Sequence, residues 1–153
     1  MRAHWQYLKY VLRHKLFVFQ ECRLLGVPLL VALWHDWDKF MPDEWLPYVH
    51  TFYAPDGSKQ YKEGPAFAAA WNLHQKRNKH HWQFWMLTWD RGNTDCLPMP
   101  DLYRREMLAD WHGAGRAING VKETGAWYAK MRDKMHLHPE TRAWVDAQLG
   151  IAS

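Results

Sequence analysis

The sequence has few of the features that mark secreted or membrane proteins. Only two of its 153 residues are cysteines, Cys22 and Cys96, and they form no metal-type spacing and no disulfide framework, which favours a reducing compartment. The longest apolar run, residues 24–34, is interrupted by Gly26 and Pro28 and is too short to cross a bilayer. The amphipathic, basic N-terminus does not resemble a cleavable signal. We therefore expect a soluble, cytoplasmic protein with no membrane partner.

Clustered charge of one sign is also scarce. The formal net charge is +4 with histidine neutral, and the cations are dispersed. A protein that binds duplex nucleic acid usually presents a continuous basic face, so this pattern argues against a duplex and favours a small anion. Apolar residues make up 48% of the chain and charged residues 24%, with no internal repeat. These values predict one folded domain over residues 1–153, and the oligomeric state, a homodimer included, stays open.

Tryptophan is unusually abundant. The chain has 11 tryptophans, and most fall at helical spacing, which favours a core packed with large aromatic rings. The alternative is that those nearest the polar motifs, Trp34, Trp37, Trp71 and Trp111, form a wall on which a nucleobase stacks.

Hydrophobic periodicity predicts an all-α fold, a single bundle of about six to seven helices. Two polar stretches, residues 54–64 and 88–100, are typical of loops. The predicted helices cover residues 3–25, 28–38, 42–52, a segment from Pro65 to beyond Asn78, 101–118, 123–135 and 139–149.

A histidine–aspartate pair, His35-Asp36, follows the apolar run near the end of the second predicted helix. Imidazole nitrogens and carboxylate oxygens suit Zn, Mn, Fe or Mg in different mixtures, so the pair predicts a divalent metal without naming it. His14 lies on the apolar stripe of the first helix, where a hydrogen-bonded core histidine is the alternative to a ligand. Glu106 and Asp110 share a helical face, where buried carboxylates need a cation nearby; Asp110 is the stronger candidate.

A histidine-rich segment follows on the fourth helix. His74 and His81 are seven residues apart, two helical turns, and Asn78 lies between them on the same face. His80 points about 100° away from His81 if the helix continues through this segment. We therefore favour His81 over His80 as a site residue.

Together these motifs resemble the HD-domain phosphohydrolase superfamily, and more closely a family of short, uncharacterised phage and bacterial HD-like proteins. The similarity covers about residues 10–115 and lies in His-Asp-x-x-Lys-Phe at 35–40, His-x-x-x-Asn-x-His-His at 74–81 and Glu-Met-x-x-Asp-Trp at 106–111. Asp38 departs from the short family, in which we expect a small hydroxyl residue, and adds negative charge beside the site. The resemblance implies an HD-like bundle with one or two divalent ions (Mn, Fe, Co, Zn or Mg) per chain.

The resemblance also implies roles for individual residues. Asp36 would attract metal most strongly, and Asp110 would orient the attacking water or accept its proton. The expected metal ligands are His14, His35, Asp36 and Asp110, with His74 and His81 for a second ion.

The implied activity is hydrolysis of a phosphate ester or anhydride in a nucleotide or similar small phosphate. Lys39, one turn after the His-Asp pair, is predicted to contact a phosphate oxygen; its alternative is a solvated or salt-bridged lysine. Lys76, Arg77 and Asn78 would extend this anion site. Two other functions stay open: a metal-stabilised protein that binds a nucleotide without turnover, and a structural interaction protein whose histidines pack among tryptophans without a metal.

Overall fold

The two longest helices, α1 (Arg2–Leu24) and α5 (Asp101–Asn119), form the most extensive helix–helix contact in the computed structural model, which describes residues 1–151. Gly113 makes this contact possible, because a Cβ atom there would lie 2.6 Å from the backbone nitrogen of Val18. Without a side chain at this position the two backbones can approach closely. His14 and Asp110 each lie about one helical turn from the contact, so the close approach of the helices brings them together.

Seven α-helices within residues 1–151 confirm the all-α prediction. The boundaries of two helices, α3 and α7, agree with the predicted ones because each begins at a proline, which is favoured in the first turn of a helix. The remaining five helices are α2 (Leu29–Trp34), α3 (Pro42–Phe52), α4 (Pro65–Arg77), α6 (Thr124–Met131) and α7 (Pro139–Leu149).

Four predicted boundaries are wrong, and one of them is the end of the fourth helix, which stops at Arg77 instead of continuing beyond Asn78. The second helix ends at Trp34 instead of residue 38, and the sixth ends at Met131, where a short 3-10 turn (Arg132–Lys134) takes over. The predicted loop at 88–100 contains part of a hairpin, in which strand β1 (Met86–Thr88) pairs antiparallel with β2 (Thr94–Cys96). Gly92, with a φ of 90°, provides the left-handed turn residue that this hairpin needs.

The core consists of three apolar clusters, and the tryptophans lie at their margins. None of the 11 tryptophans within residues 1–151 is fully buried, although six pack against the core clusters, so the expected tryptophan-packed core is found in part. The centres contain the rings of Tyr7 and Tyr128 beside aliphatic side chains such as Val11, Val18 and Val145. Six tryptophans are partly buried, namely Trp45, Trp71, Trp82, Trp85, Trp111 and Trp144. Among residues 1–151 no helix is long and apolar enough to span a membrane.

Candidate metal centre

The His-Asp pair lies on a sharp turn between two helical segments. α2 ends at Trp34, and a 3-10 turn covers Trp37–Phe40. Between them Asp36 has left-handed backbone dihedrals, φ 52° and ψ 32°, and it is the only non-glycine residue with a positive φ among residues 1–151. Such a residue interrupts the helix, at a cost of about 1–2 kcal/mol that Asp and Asn tolerate best. His35 and Asp36 are 2% and 1% exposed, so the turn delivers both side chains to the interior.

Four side chains from three parts of the chain form the first ligand group: His14, His35, Asp36 and Asp110. His14 Nε2 lies 3.2 Å from Asp36 Oδ2 and 3.2 Å from Asp110 Oδ1. His35 Nε2 lies 3.4 Å from the same Asp36 oxygen and 3.5 Å from Asp110 Oδ1. Ligands about 2.1 Å from one ion are separated by about 3.0–3.4 Å in octahedral or tetrahedral geometry. The observed separations, 3.2–3.5 Å, are close to this range, so the four side chains could hold one metal ion.

The second ligand group contains Asp36, His74, His80 and His81, with one ligand atom of each within 4.8 Å of the others. Asp36 Oδ1 lies 3.3 Å from His80 Nε2 and 3.5 Å from His74 Nε2. The preference for His81 over His80 must therefore be corrected, because both histidines belong to this group. The phase argument fails because α4 ends at Arg77 and the two histidines follow in irregular backbone.

Polar atoms without hydrogen bonds are concentrated where the two groups meet. Burying such an atom without a partner costs about 1–3 kcal/mol, and a bound cation would give all of them a partner. The side-chain atoms that are buried and make no hydrogen bond of acceptable geometry to residues 1–151 include His35 Nε2, Asp36 Oδ1, His74 Nε2, His80 Nε2 and His81 Nε2. The donor set and its unmet bonding capacity fit one or two divalent ions.

Glu106 orients two of these histidines from behind. Its Oε1 lies 3.0 Å from Nδ1 of His35 and 3.4 Å from Nδ1 of His80. A proton held on Nδ1 leaves the Nε2 lone pair free for a metal, which is the usual role of a carboxylate behind a histidine ligand. The sequence analysis favoured Asp110 over Glu106. The signal for Glu106 was its position one turn before Asp110, on the same face of α5.

Two further carboxylates hold His74. Its Nδ1 lies 3.0 Å from Asp38 Oδ2 and 3.0 Å from Glu44 Oε2. Asn78 donates to Asp38 at 2.5 Å and to the carbonyl of His74 at 2.9 Å, so it helps to position the histidine, and its contact with substrate stays a prediction. Glu44 was missed, because an acid in the first turn of a helix has an ordinary explanation.

The site is strongly polarised. Burial on its own would raise the pKa of Asp36 and Asp110, but the histidines around both, with Lys39 beside Asp36, outweigh burial and hold each pKa well below its usual range. Burial would lower the pKa of His35, but the neighbouring carboxylates raise it well above 6.5. Burial and the nearby His80 lower the pKa of His81. Ionised carboxylates that stabilise protons on histidines would equally stabilise a divalent cation in their place.

The predicted cationic residues have different fates. Lys39 lies inside the site, with Nζ 2.5 Å from Asp36 Oδ2. Arg77 instead pairs with Asp43 at 2.7 Å and Glu44 at 3.0 Å, and Lys76 is exposed. A role of Lys76 and Arg77 in the anion site therefore stays a prediction, for which these contacts give no support. Lys76 follows His74 by two residues and therefore points away from its face of α4, whereas Arg77, at the three-residue step, stays near that face and is held by Glu44.

Two of the four tryptophans expected beside the site are on the surface. Trp34 and Trp37 are stacked with their ring centroids 5.4 Å apart, and both are exposed. Trp71 lies within the site, with its ring centroid 5.6 Å from that of His74. Trp111 belongs to a different cluster, where it stacks on Tyr128.

The fold and site define an all-α protein with a buried histidine and carboxylate centre. A model of a family of unknown function, DUF5662, matches residues 3–151, and the chain therefore belongs to this family. No curated protein and no solved structure matches the chain significantly.

Proposed function

We propose that this protein is a metal-dependent phosphohydrolase of the HD type that acts on a nucleotide or a similar small phosphate. The observation that carries the proposal is the position of Asp36 between the two ligand groups. One carboxylate oxygen faces His14 and His35, and the other faces His74 and His80. A carboxylate in this position can bridge two ions, which is the arrangement suited to phosphoryl transfer.

A bound divalent ion would lower the pKa of a coordinated water and polarise a phosphoryl oxygen. The chain's own residues supply the rest. Asp110, with its lowered pKa, is a weak base and suits orientation of the nucleophile better than acceptance of its proton. Lys39 lies at the centre with 12% of its side chain exposed, and it carries the charge to meet a phosphate oxygen.

A metal-free structural role has one observation in its favour. The ammonium group of Lys39 already neutralises Asp36 at 2.5 Å, and protonated histidines could compensate the remaining carboxylates. In that case the cluster would be a buried ion-pair network. This alternative differs from the proposed function in a single measurable property, the metal content of the purified chain.

The test combines elemental analysis with a phosphate-release screen over a nucleotide panel in Mn²⁺, Co²⁺, Mg²⁺ and Zn²⁺. The proposal expects stoichiometric metal and turnover of at least one compound, lost in Asp110→Asn. Metal without turnover of any compound would indicate a nucleotide-binding protein. A chain that retains no metal would indicate the structural role.

A further inference from the structure

A cavity of about 370 Å³ opens beside the metal centre, and tyrosines form much of its wall. Tyr7 and Tyr10 belong to α1, and Tyr48 belongs to α3. The two helices are adjacent here, because the ring centroids of Tyr7 and Tyr48 are 6.2 Å apart. The same cavity is lined by Lys39 and Asp110. The volume is at the small end for a ligand site, which favours a compact ligand.

Two of these phenols lack hydrogen-bond partners. The hydroxyls of Tyr7 and Tyr48 are buried and form no hydrogen bond to residues 1–151. The two residues are only 1% and 6% exposed. A buried hydroxyl normally finds a partner, because leaving it without one costs about 1–3 kcal/mol. Phenylalanine would fill the same volume without this cost. Both residues line the cavity, so each hydroxyl without a partner could donate to an acceptor bound there.

The phenols are also neutral donors in a cavity that contains the ammonium group of Lys39. Burial raises the pKa of Tyr7 and of Tyr48, and Lys39 is the charged group with the largest opposing effect on both. Neutral phenols and the ammonium group of Lys39 therefore line the same cavity. One cation with hydrogen-bond donors beside it is suited to an anion that has several oxygens.

We propose, on the basis of the proposed function, that Tyr7 and Tyr48 determine specificity by binding the phosphate of a phosphomonoester together with Lys39. A monoester has three non-bridging oxygens, enough for the metal centre, the ammonium group and the phenols. A diester has only two and carries a second ester arm. That arm would meet the aromatic side of the cavity, formed by Phe52 and Phe67.

The reaction assigned to this cavity is hydrolysis of one ester bond. Water forms a new P–O bond, the bond from phosphorus to the ester oxygen breaks, and the alcohol leaves with a proton. No oxidant or additional reactant is needed. The products are inorganic phosphate and a small alcohol, so an enzyme that consumes the free hydroxyl compound would act next.

The variants Tyr7→Phe and Tyr48→Phe test this inference, with Tyr128→Phe as the matched control. Tyr128 is buried in another cluster and does not line the cavity. The metal-loaded proteins are compared for turnover of p-nitrophenyl phosphate and bis(p-nitrophenyl) phosphate, and for binding of inorganic phosphate by calorimetry. Each cavity variant should raise KM for the monoester and weaken phosphate binding by about tenfold, with metal content and kcat much less affected. The wild type should prefer the monoester.

The outcomes separate this inference from the proposed function. Wild-type turnover that the two variants leave unchanged would overturn the role of the tyrosines and leave the phosphohydrolase standing. Preference for the diester would also overturn it. Phosphate binding without turnover, weakened in both variants, would support the tyrosine site and contradict catalysis. A metal-loaded wild type that neither binds phosphate nor hydrolyses either compound would overturn both.

Discussion

Glu106 Oε1 lies 3.0 Å from Nδ1 of His35, on the side of the imidazole ring opposite the first ligand group. The same oxygen is 3.4 Å from Nδ1 of His80, so one carboxylate orients a histidine of each group. Glu106 is itself 5% exposed. Burial would raise its pKa, but hydrogen bonds and charge from the two histidines lower it to about 2. It is therefore ionised and acts as an acceptor throughout the physiological range.

Replacing Glu106 by Gln should weaken metal binding by about 10- to 100-fold, the usual effect of losing a carboxylate behind a histidine ligand. The amide can present its NH₂ group to Nδ1, which favours the wrong tautomer of His35. Competition with a chromophoric chelator measures the affinity. Asp101→Asn, at an exposed acid in the first turn of the same helix, is the control and should bind as the wild type does. Equal affinity of Glu106→Gln and wild type would remove Glu106 from the site.

Replacing Gly113 by Ala should destabilise the fold by about 1–3 kcal/mol or more, because the new Cβ would overlap the backbone of Val18. The helices must then separate, and metal affinity should fall with stability. Gly125→Ala in α6 is the matched control, since the nearest atom to its Cβ would be a carbonyl oxygen 4.0 Å away. It should stabilise the protein by about 0.5–1 kcal/mol. Urea denaturation measures both, and an equally stable Gly113→Ala protein would contradict the packing argument.

Glu21 should make stability depend on pH. It is buried, and it accepts from Arg116 at 2.8 Å and from Lys122 at 2.7 Å. Burial alone would raise its pKa, but these two cations outweigh burial and lower it from 4.5. The stabilisation is therefore complete above pH 4.5 and is lost as the pH falls through the lower pKa of the folded state.

The variant Glu21→Gln should accordingly lower the free energy of unfolding by about 1–3 kcal/mol at pH 7. The difference from wild type should shrink below pH 4.5. Asp90→Asn, at an exposed loop acid, supplies the control. Denaturation curves across this pH range test the prediction. A difference in free energy of unfolding that is constant with pH would show that ionisation of Glu21 does not cause the pH dependence.

Replacing Lys39 by Ala should lower kcat/KM for the phosphate substrate. The loss of transition-state stabilisation should be about 1–3 kcal/mol, the range for a charge-assisted hydrogen bond. Metal content should stay intact, because Lys39 contacts a ligand and is not one. Lys130→Ala, an exposed lysine on α6, should leave kcat/KM unchanged. Steady-state kinetics with parallel metal analysis makes the comparison. Unchanged kcat/KM in Lys39→Ala would remove it from the substrate site.

Local sequence signals were sufficient for most helices and for the first ligand group. The apolar spacing of α1 placed His14 on the buried face, and the four-residue step in α5 placed Asp110 beside Glu106. Both are consequences of helical geometry within one element. The all-α fold followed from the same periodicity.

What the sequence could not predict depends on contacts between distant segments. α2 ends where the backbone of His35 becomes extended, with a ψ of 129°, and Asp36 then adopts the left-handed conformation. His80 reaches the second group only because α4 stops at Arg77. Glu44 belongs to the site because it contacts His74, 30 residues later in the chain. No residue spacing within α3 predicts this contact. Such a contact requires the positions of two helices, which periodicity alone does not provide.

Metal analysis of the wild type and of Asp36→Asn tests the central claim most directly. Asparagine also tolerates the left-handed backbone, and it replaces one of the two carboxylate oxygens that join the ligand groups. The chains are purified side by side, with Asp56→Asn, at an exposed loop residue, as the control, and folding is checked by circular dichroism. We expect stoichiometric divalent metal in the wild type and the control. Asp36→Asn should lose at least one ion per chain. A folded wild type without metal, or an Asp36→Asn protein with the full wild-type content, would contradict this expectation.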